Sequence, residues 1–179
     1  MIIENTFIQD LLLITPQVYR DDRGYFMESY NQKKIGMVIH DHFVQDNESL
    51  SKKNVLRGLH LQLPPYAQAK LIRVIKGSIL DVAVDLRTES TTYGQHFKHV
   101  LSGENKKQLY VPKGFAHGFV TLEDDTLINY KCSETYHADS ELSILWNDPD
   151  LNIDWGIKEP ILAEKDAGAK NFVTFENPF

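Results

Sequence analysis

What most restricts the fold of this chain is a succession of short runs in which apolar side chains take every second position, each run closed by Gly, Pro, Asp or Asn. In RGLHLQL (57–63), Leu59, Leu61 and Leu63 alternate with Gly58, His60 and Gln62. In SILDVAVDL (78–86), Leu80, Val82, Val84 and Leu86 form one row, with Asp81 and Asp85 in the other. A period of two belongs to a strand, whose side chains point alternately to opposite faces. KLIRVIKG (70–77) precedes the second run, and Gly77 between them predicts a hairpin turn. KQLYVP, HGFVTL, TLINYKC and SILWN continue the series. Many short strands at this spacing predict a sandwich or barrel instead of a parallel α/β sheet. A helical pattern is confined to ESYNQKKIGM, near residues 28–37. The expected fold is therefore all-β, an antiparallel jelly-roll-like domain over residues 1–179, with short helices near the termini.

Composition narrows the function classes. A chain of 179 residues can enclose a real core. A net charge of −6 argues against a general nucleic-acid binder, although local Arg and Lys can still hold a small anionic ligand. A single cysteine, Cys132, forms no intrachain disulfide, and the reducing cytoplasm is the simpler setting. MIIENTFIQD lacks the basic-then-apolar pattern of a signal peptide, and no run reaches the roughly 20 apolar residues of a membrane span. Phosphate-loop, dinucleotide-binding and G-x-S-x-G motifs are absent.

A metal centre needs several convergent His, Cys or carboxylate ligands. The strand carrying His60 offers Gln62 where a second histidine would complete H-x-H, and Lys70 follows as a cation. Two histidines, His60 and His117, with an amide and an ammonium make a poor ligand set. General acid–base chemistry suits these residues better, since it needs a histidine that titrates near neutrality and a second group across the substrate. His60, His117 and Tyr130 fall in three separate strands, and Thr126, Ile128, Tyr130 and Cys132 share one face of theirs. Any one of these alone is ordinarily a structural side chain. Arg57 and Lys70 beside them point to an anionic substrate or a developing oxyanion. DDRGYFMES (21–29) reads either as a surface turn or as a further binding segment carrying Arg23, Phe26 and Glu28. The residues by themselves specify a β-barrel with a polar pocket suited to an anion.

RGLHLQLPPYAQAKLIRVIKGSILDVAVDLR, then PKGFAHGFVTL, NYKCSETY, SELSILWNDPDLNIDW and EPILAEKDA, resembles the dTDP-4-dehydrorhamnose 3,5-epimerase family in motif order and spacing over residues 10–168. The resemblance implies a cupin jelly roll that works as a homodimer in the cytoplasm, without metal or organic cofactor, nucleic acid or membrane. It implies a dTDP-4-keto-6-deoxy sugar as substrate, inverted at C3 and C5 by enolate formation and reprotonation from the opposite face. By the family pattern His60 is the base, Asp166 orients it, Tyr130 is the acid and Lys70 faces the C4 oxygen. Arg57, His117 and Lys165 correspond to contacts with the diphosphate and sugar, Tyr136 to a platform for the thymine, and Gln45, Asn47 and Glu141 to further substrate contacts. Arg23, Phe26 and Glu28 match a segment that crosses to the partner's site. Gly58 is read as leaving space for the sugar. The alternatives are a C3-only epimerase or ketoisomerase acting on a related nucleotide sugar, and a non-catalytic sugar-binding cupin.

Overall fold

Two antiparallel sheets face one another, and the alternating rows of their strands meet between them. The computed structural model describes residues 1–179. Its strands are β1 (Ile2–Asn5), β2 (Leu12–Thr15), β3 (Val18–Asp21), β4 (Gly24–Met27), β5 (Gln45–Ser51), β6 (Leu56–Gln62), β7 (Lys70–Lys76), β8 (Ser78–Asp85), β9 (His96–Ser102), β10 (Gln108–Val111), β11 (Phe115–Thr121), β12 (Thr126–Cys132) and β13 (Glu141–Ser143). One sheet has the order β1-β2-β10-β7-β12-β5, the other β13-β6-β11-β8-β9, and β3 pairs with β4 alone. The only α-helices are single turns, α1 (Gln32–Ile35) and α2 (Glu164–Ala167). The expected all-β jelly roll is what forms, and no helix is long and apolar enough to cross a membrane.

Three apolar layers hold it. Between the sheets lie Leu13, Ile72, Val74, Ile79, Ala83, Leu101, Leu109, Phe115, Phe119 and Ile128. Outside the five-stranded sheet, Leu59, Leu61, Val82, Val84 and Leu86 are covered by Leu151, Trp155 and Phe175 of the C-terminal segment. Outside the six-stranded sheet, Leu12, Ile14 and Leu71 are covered by Ile35 and Ile39. Both faces of β8 are therefore core, which explains why its second row, Ile79, Asp81 and Ala83, is fully buried. Full burial of an aliphatic side chain stabilises by about 1.5–3 kcal/mol, so the layers supply the main driving force.

Two expected elements differ. Gly77 does not close a hairpin: β7 lies between β10 and β12, and β8 lies between β11 and β9 in the opposite sheet. The glycine, at φ +78°, turns the chain from one sheet to the other, and a Cβ there would sit 2.4 Å from Thr126 Oγ1. The strand expected at SILWN is instead β13, Glu141–Ser143, against β6, and beyond it only Ile144 keeps a bridge, to Lys170. Trp146 has left the sheet and joins the layer over the five-stranded sheet, so packing by the C-terminal segment ends the strand early.

Gly58 has a different task from the one expected. β11 pairs His117 with His60 and Phe119 with Arg57, so Gly58 and Leu59 together oppose Gly118. This is a β-bulge, which re-aims the side chains beyond it. Gly58 has φ +133°, and a Cβ on it would lie 2.5 Å from Gly118 Cα and 2.9 Å from the His117 carbonyl oxygen. Its missing side chain admits the neighbouring strand, not the sugar. Gly58→Ala is expected to destabilise the protein by about 3 kcal/mol or more, combining left-handed strain with a backbone clash. The midpoint of chemical denaturation measures this; an unshifted midpoint would contradict the bulge.

Candidate active site

The bulge determines which side chains enter the barrel. In a regular strand Arg57 and His60 would point to opposite faces. With the extra residue, Leu56, Leu59 and Leu61 all pack outward under the C-terminal segment, while Arg57, His60 and Gln62 line one cavity. In the opposite sheet the interior rows grade from apolar to polar. Register places Val74, Ile128 and Ser49 side by side, then Ile72, Tyr130 and Asn47, then Lys70, Cys132 and Gln45. The cavity opens at the polar end, with a volume of about 530 Å³. Gln45, Asn47, Arg57, His60, Lys70, His117, Tyr130, Tyr136, Glu141, Lys165 and Asp166 all line it, so the fold brings together these residues from across the sequence.

His60 and Asp166 are 106 positions apart and meet with Nε2 2.5 Å from Oδ1. After β13 the chain covers the outer face of the five-stranded sheet and returns beside the start of β6, where the Leu56 N–H donates to the Ile161 carbonyl at 3.0 Å. α2 follows, and its one buried residue is Asp166. The Gly58 N–H donates to the second carboxylate oxygen at 3.4 Å. When Nε2–H of a neutral imidazole donates to the carboxylate, Nδ1 is left as the basic nitrogen. Cross-strand from His60, His117 forms a second such pair, its Nε2 2.5 Å from Oδ1 of the fully buried Asp81. Asp81 stands out in the sequence only as a polar residue in an apolar strand.

Electrostatics follow from enclosure. Lys70 points across the cavity and its Nζ donates to the His60 carbonyl at 3.4 Å. Burial lowers its pKa, against the opposing pull of Cys132, Glu141 and Asp81. Burial raises the pKa of Tyr130, keeping the phenol protonated, and Cys132 adds to this. Burial alone would raise the Glu141 carboxyl too, but hydrogen bonds from Lys165, at 2.9 Å, and the Tyr136 hydroxyl, at 3.0 Å, bring it below its ordinary value. Arg57 makes no ion pair within the chain and donates only to Ser51 Oγ, at 3.2 and 3.4 Å. At the mouth Tyr136 is 55% exposed, its ring free to take a flat ligand.

Arg23, Phe26 and Glu28 are not part of this cavity. They belong to the β3–β4 hairpin and the residues after it, where Arg23 pairs with Asp21 and Glu28 with Lys34. Ser49, Gln68, Phe119 and Cys132 line the cavity without having been expected as contacts. The alternation Gln45, Asn47, Ser49 points to Ser49, whereas Gln68 lies in a loop where no pattern singles it out.

The family model for dTDP-4-dehydrorhamnose 3,5-epimerase matches residues 5–174. The chain is 48% identical to dTDP-4-dehydrorhamnose 3,5-epimerase of Shigella flexneri over 172 residues, 94% of each chain. The crystal structure of the enzyme of that name from Elizabethkingia anophelis NUHP1 superposes with a TM-score of 0.93 at 49% identity, covering 99% of this chain and 98% of the other. The dTDP-6-deoxy-D-glucose-3,5-epimerase of Legionella pneumophila, solved in complex with dTDP-4-keto-L-rhamnose, superposes with a TM-score of 0.93 at 48% identity, covering 97% and 94%.

Proposed function

We infer the reaction from the premise that this chain belongs to the dTDP-4-dehydrorhamnose 3,5-epimerase family. It is an isomerase that inverts C3 and C5 of dTDP-4-dehydro-6-deoxy-D-glucose, giving dTDP-4-dehydro-L-rhamnose, a step toward dTDP-L-rhamnose. The 3,5-epimerase reading is preferred over a C3-only epimerase or a non-catalytic sugar binder because relatives at 48–49% identity over most of the chain carry the 3,5-epimerase name. The observation that carries the reading is the His60–Asp166 pair at 2.5 Å inside a cavity that also holds Tyr130 and Lys70.

The ketone at C4 acidifies the hydrogens on C3 and C5. His60 takes one of them, and Asp166 orients the ring and stabilises the imidazolium. Lys70 stabilises the negative charge that develops on the C4 oxygen, in a site where exclusion of water strengthens the interaction. Tyr130, held protonated by burial, returns a proton from the other face. Arg57, His117 and Lys165 hold the diphosphate and sugar with Gln45, Asn47 and Glu141, and Tyr136 stacks under the thymine. Neither the chain's Gln62 amide nor its Lys70 ammonium suits a metal, and the chemistry proposed runs on side chains alone. Incubation with the keto sugar and NMR of the product tests the assignment; inversion at C3 alone would overturn it.

The hairpin residues suggest the assembly. Tyr19, Tyr25 and Phe26 are 63%, 49% and 70% exposed, an aromatic surface that a free monomer leaves in water. We read the chain as a homodimer in which Arg23, Phe26 and Glu28 complete the partner's nucleotide site. Sedimentation at catalytic concentrations should give twice the mass of the chain.

Lys70→Ala should lower kcat on the order of 10²-fold while changing KM far less, because the ammonium matters most once the enolate forms. Since burial lowers the Lys70 pKa, its charge, and kcat with it, should be lost as pH rises and at a lower pH than for an ordinary lysine. An unchanged kcat with a raised KM would make Lys70 a binding residue only.

A further inference from the structure

Tyr136 sits on a segment with no regular secondary structure, yet the backbone of that segment is extensively hydrogen-bonded by side-chain amides. The Gln62 Nε2 donates to the Tyr66 carbonyl at 2.7 Å and to the Thr135 carbonyl at 3.2 Å. The Gln62 Oε1 accepts from the His137 N–H at 2.9 Å. The Gln68 Nε2 donates to the Glu134 carbonyl at 2.7 Å and shares the Thr135 carbonyl at 3.2 Å. The Tyr136 N–H donates to Gln45 Oε1 at 3.0 Å. The rings of Tyr66 and His137 stack with centroids 3.6 Å apart, joining the two loops that Gln62 ties together. Gln62 is only 5% exposed, and both ends of its amide are engaged by backbone.

We propose that Gln62 and Gln68 are positioning residues for nucleotide binding: their amides form a cradle that fixes the segment 133–137 and so the Tyr136 ring at the mouth of the cavity. The proposal rests on the reading of Tyr136 as the platform for the base. Amides suit this task because each presents donors and an acceptor at once, as a strand edge does, to a segment that has no neighbouring strand. Preorganisation then lowers the ordering that binding would otherwise require. Gln62, in the position of a metal ligand in H-x-H, is used entirely for this.

The test combines calorimetric titration with dTDP and steady-state kinetics on Gln62→Leu, Gln68→Leu, Tyr136→Ala and the pairwise combinations with Tyr136→Ala. Each glutamine variant should weaken dTDP binding about tenfold, the scale of one lost hydrogen bond to a buried group, with KM raised and kcat changed by less than about threefold. In the Tyr136→Ala background neither should weaken binding further, because the ring they position is gone. If Gln62→Leu does not fold, Gln68→Leu, at a half-exposed loop residue, decides alone. Unchanged dTDP affinity in the glutamine variants while Tyr136→Ala loses affinity overturns the cradle and leaves the platform standing. Losses that add fully to that of Tyr136→Ala also overturn it, since they would mean direct contact with the ligand. An unchanged affinity in Tyr136→Ala overturns both.

Discussion

His60→Asn is expected to fold, to bind dTDP, and to lose at least about 10²-fold in turnover, up to about 10⁴-fold. An amide has no basic nitrogen, so neither C3 nor C5 can be deprotonated by this side chain. The loss should appear in kcat and kcat/KM alike, because the interaction exists only as the proton moves. Asp166, almost fully buried, loses its imidazole partner at 2.5 Å and keeps only the long bond from the Gly58 N–H. Stability should therefore fall as well, by about 1–3 kcal/mol, which circular dichroism with denaturant resolves. A variant with near-wild-type turnover would remove His60 from the mechanism.

Tyr130→Phe removes one hydroxyl and keeps the ring against the core between the sheets. The expected result separates two events that the wild type couples. His60 can still take and return a proton on its own face, so exchange of the substrate's hydrogens with solvent continues. Delivery from the opposite face is lost, and net inversion falls by about 10²-fold or more. Heavy-water NMR follows exchange while product formation follows inversion. If Tyr130→Phe inverts normally, the proton donor is another group.

Much of this was legible in the chain. Period-two alternation locates β6, β7, β8, β11 and β12, because one or both faces of each are packed and the pattern is strict. The turn glycine at 77 misleads because φ > 0 serves a corner between sheets as well as a hairpin, and sequence spacing does not distinguish them. The bulge at Gly58 and Leu59 is invisible to strict alternation, which would put Arg57 on the leucine face. Its signal is the glycine itself, one of several readings a glycine in a strand allows. The His60–Asp166 contact rests on how the C-terminal segment docks, and no local pattern encodes a pairing across 106 positions. Only the family pattern pairs these two residues. The Asp81–His117 pair, for the same reason, has no signal in the local sequence. The glutamine cradle lies further out of reach, since Gln62 and Gln68 act on loop carbonyls whose positions depend on the finished barrel.

One cavity, using His60 and an opposing acid, inverts two carbons next to one ketone. The most direct measurement is incubation of dTDP-4-dehydro-6-deoxy-D-glucose with the wild-type protein in heavy water, read by NMR at C3 and C5. Deuterium should enter both positions and the product should be inverted at both, with His60→Asn introducing it at neither. Deuterium at one carbon only, or at both in the His60→Asn variant, would show that His60 is not the base for both carbons.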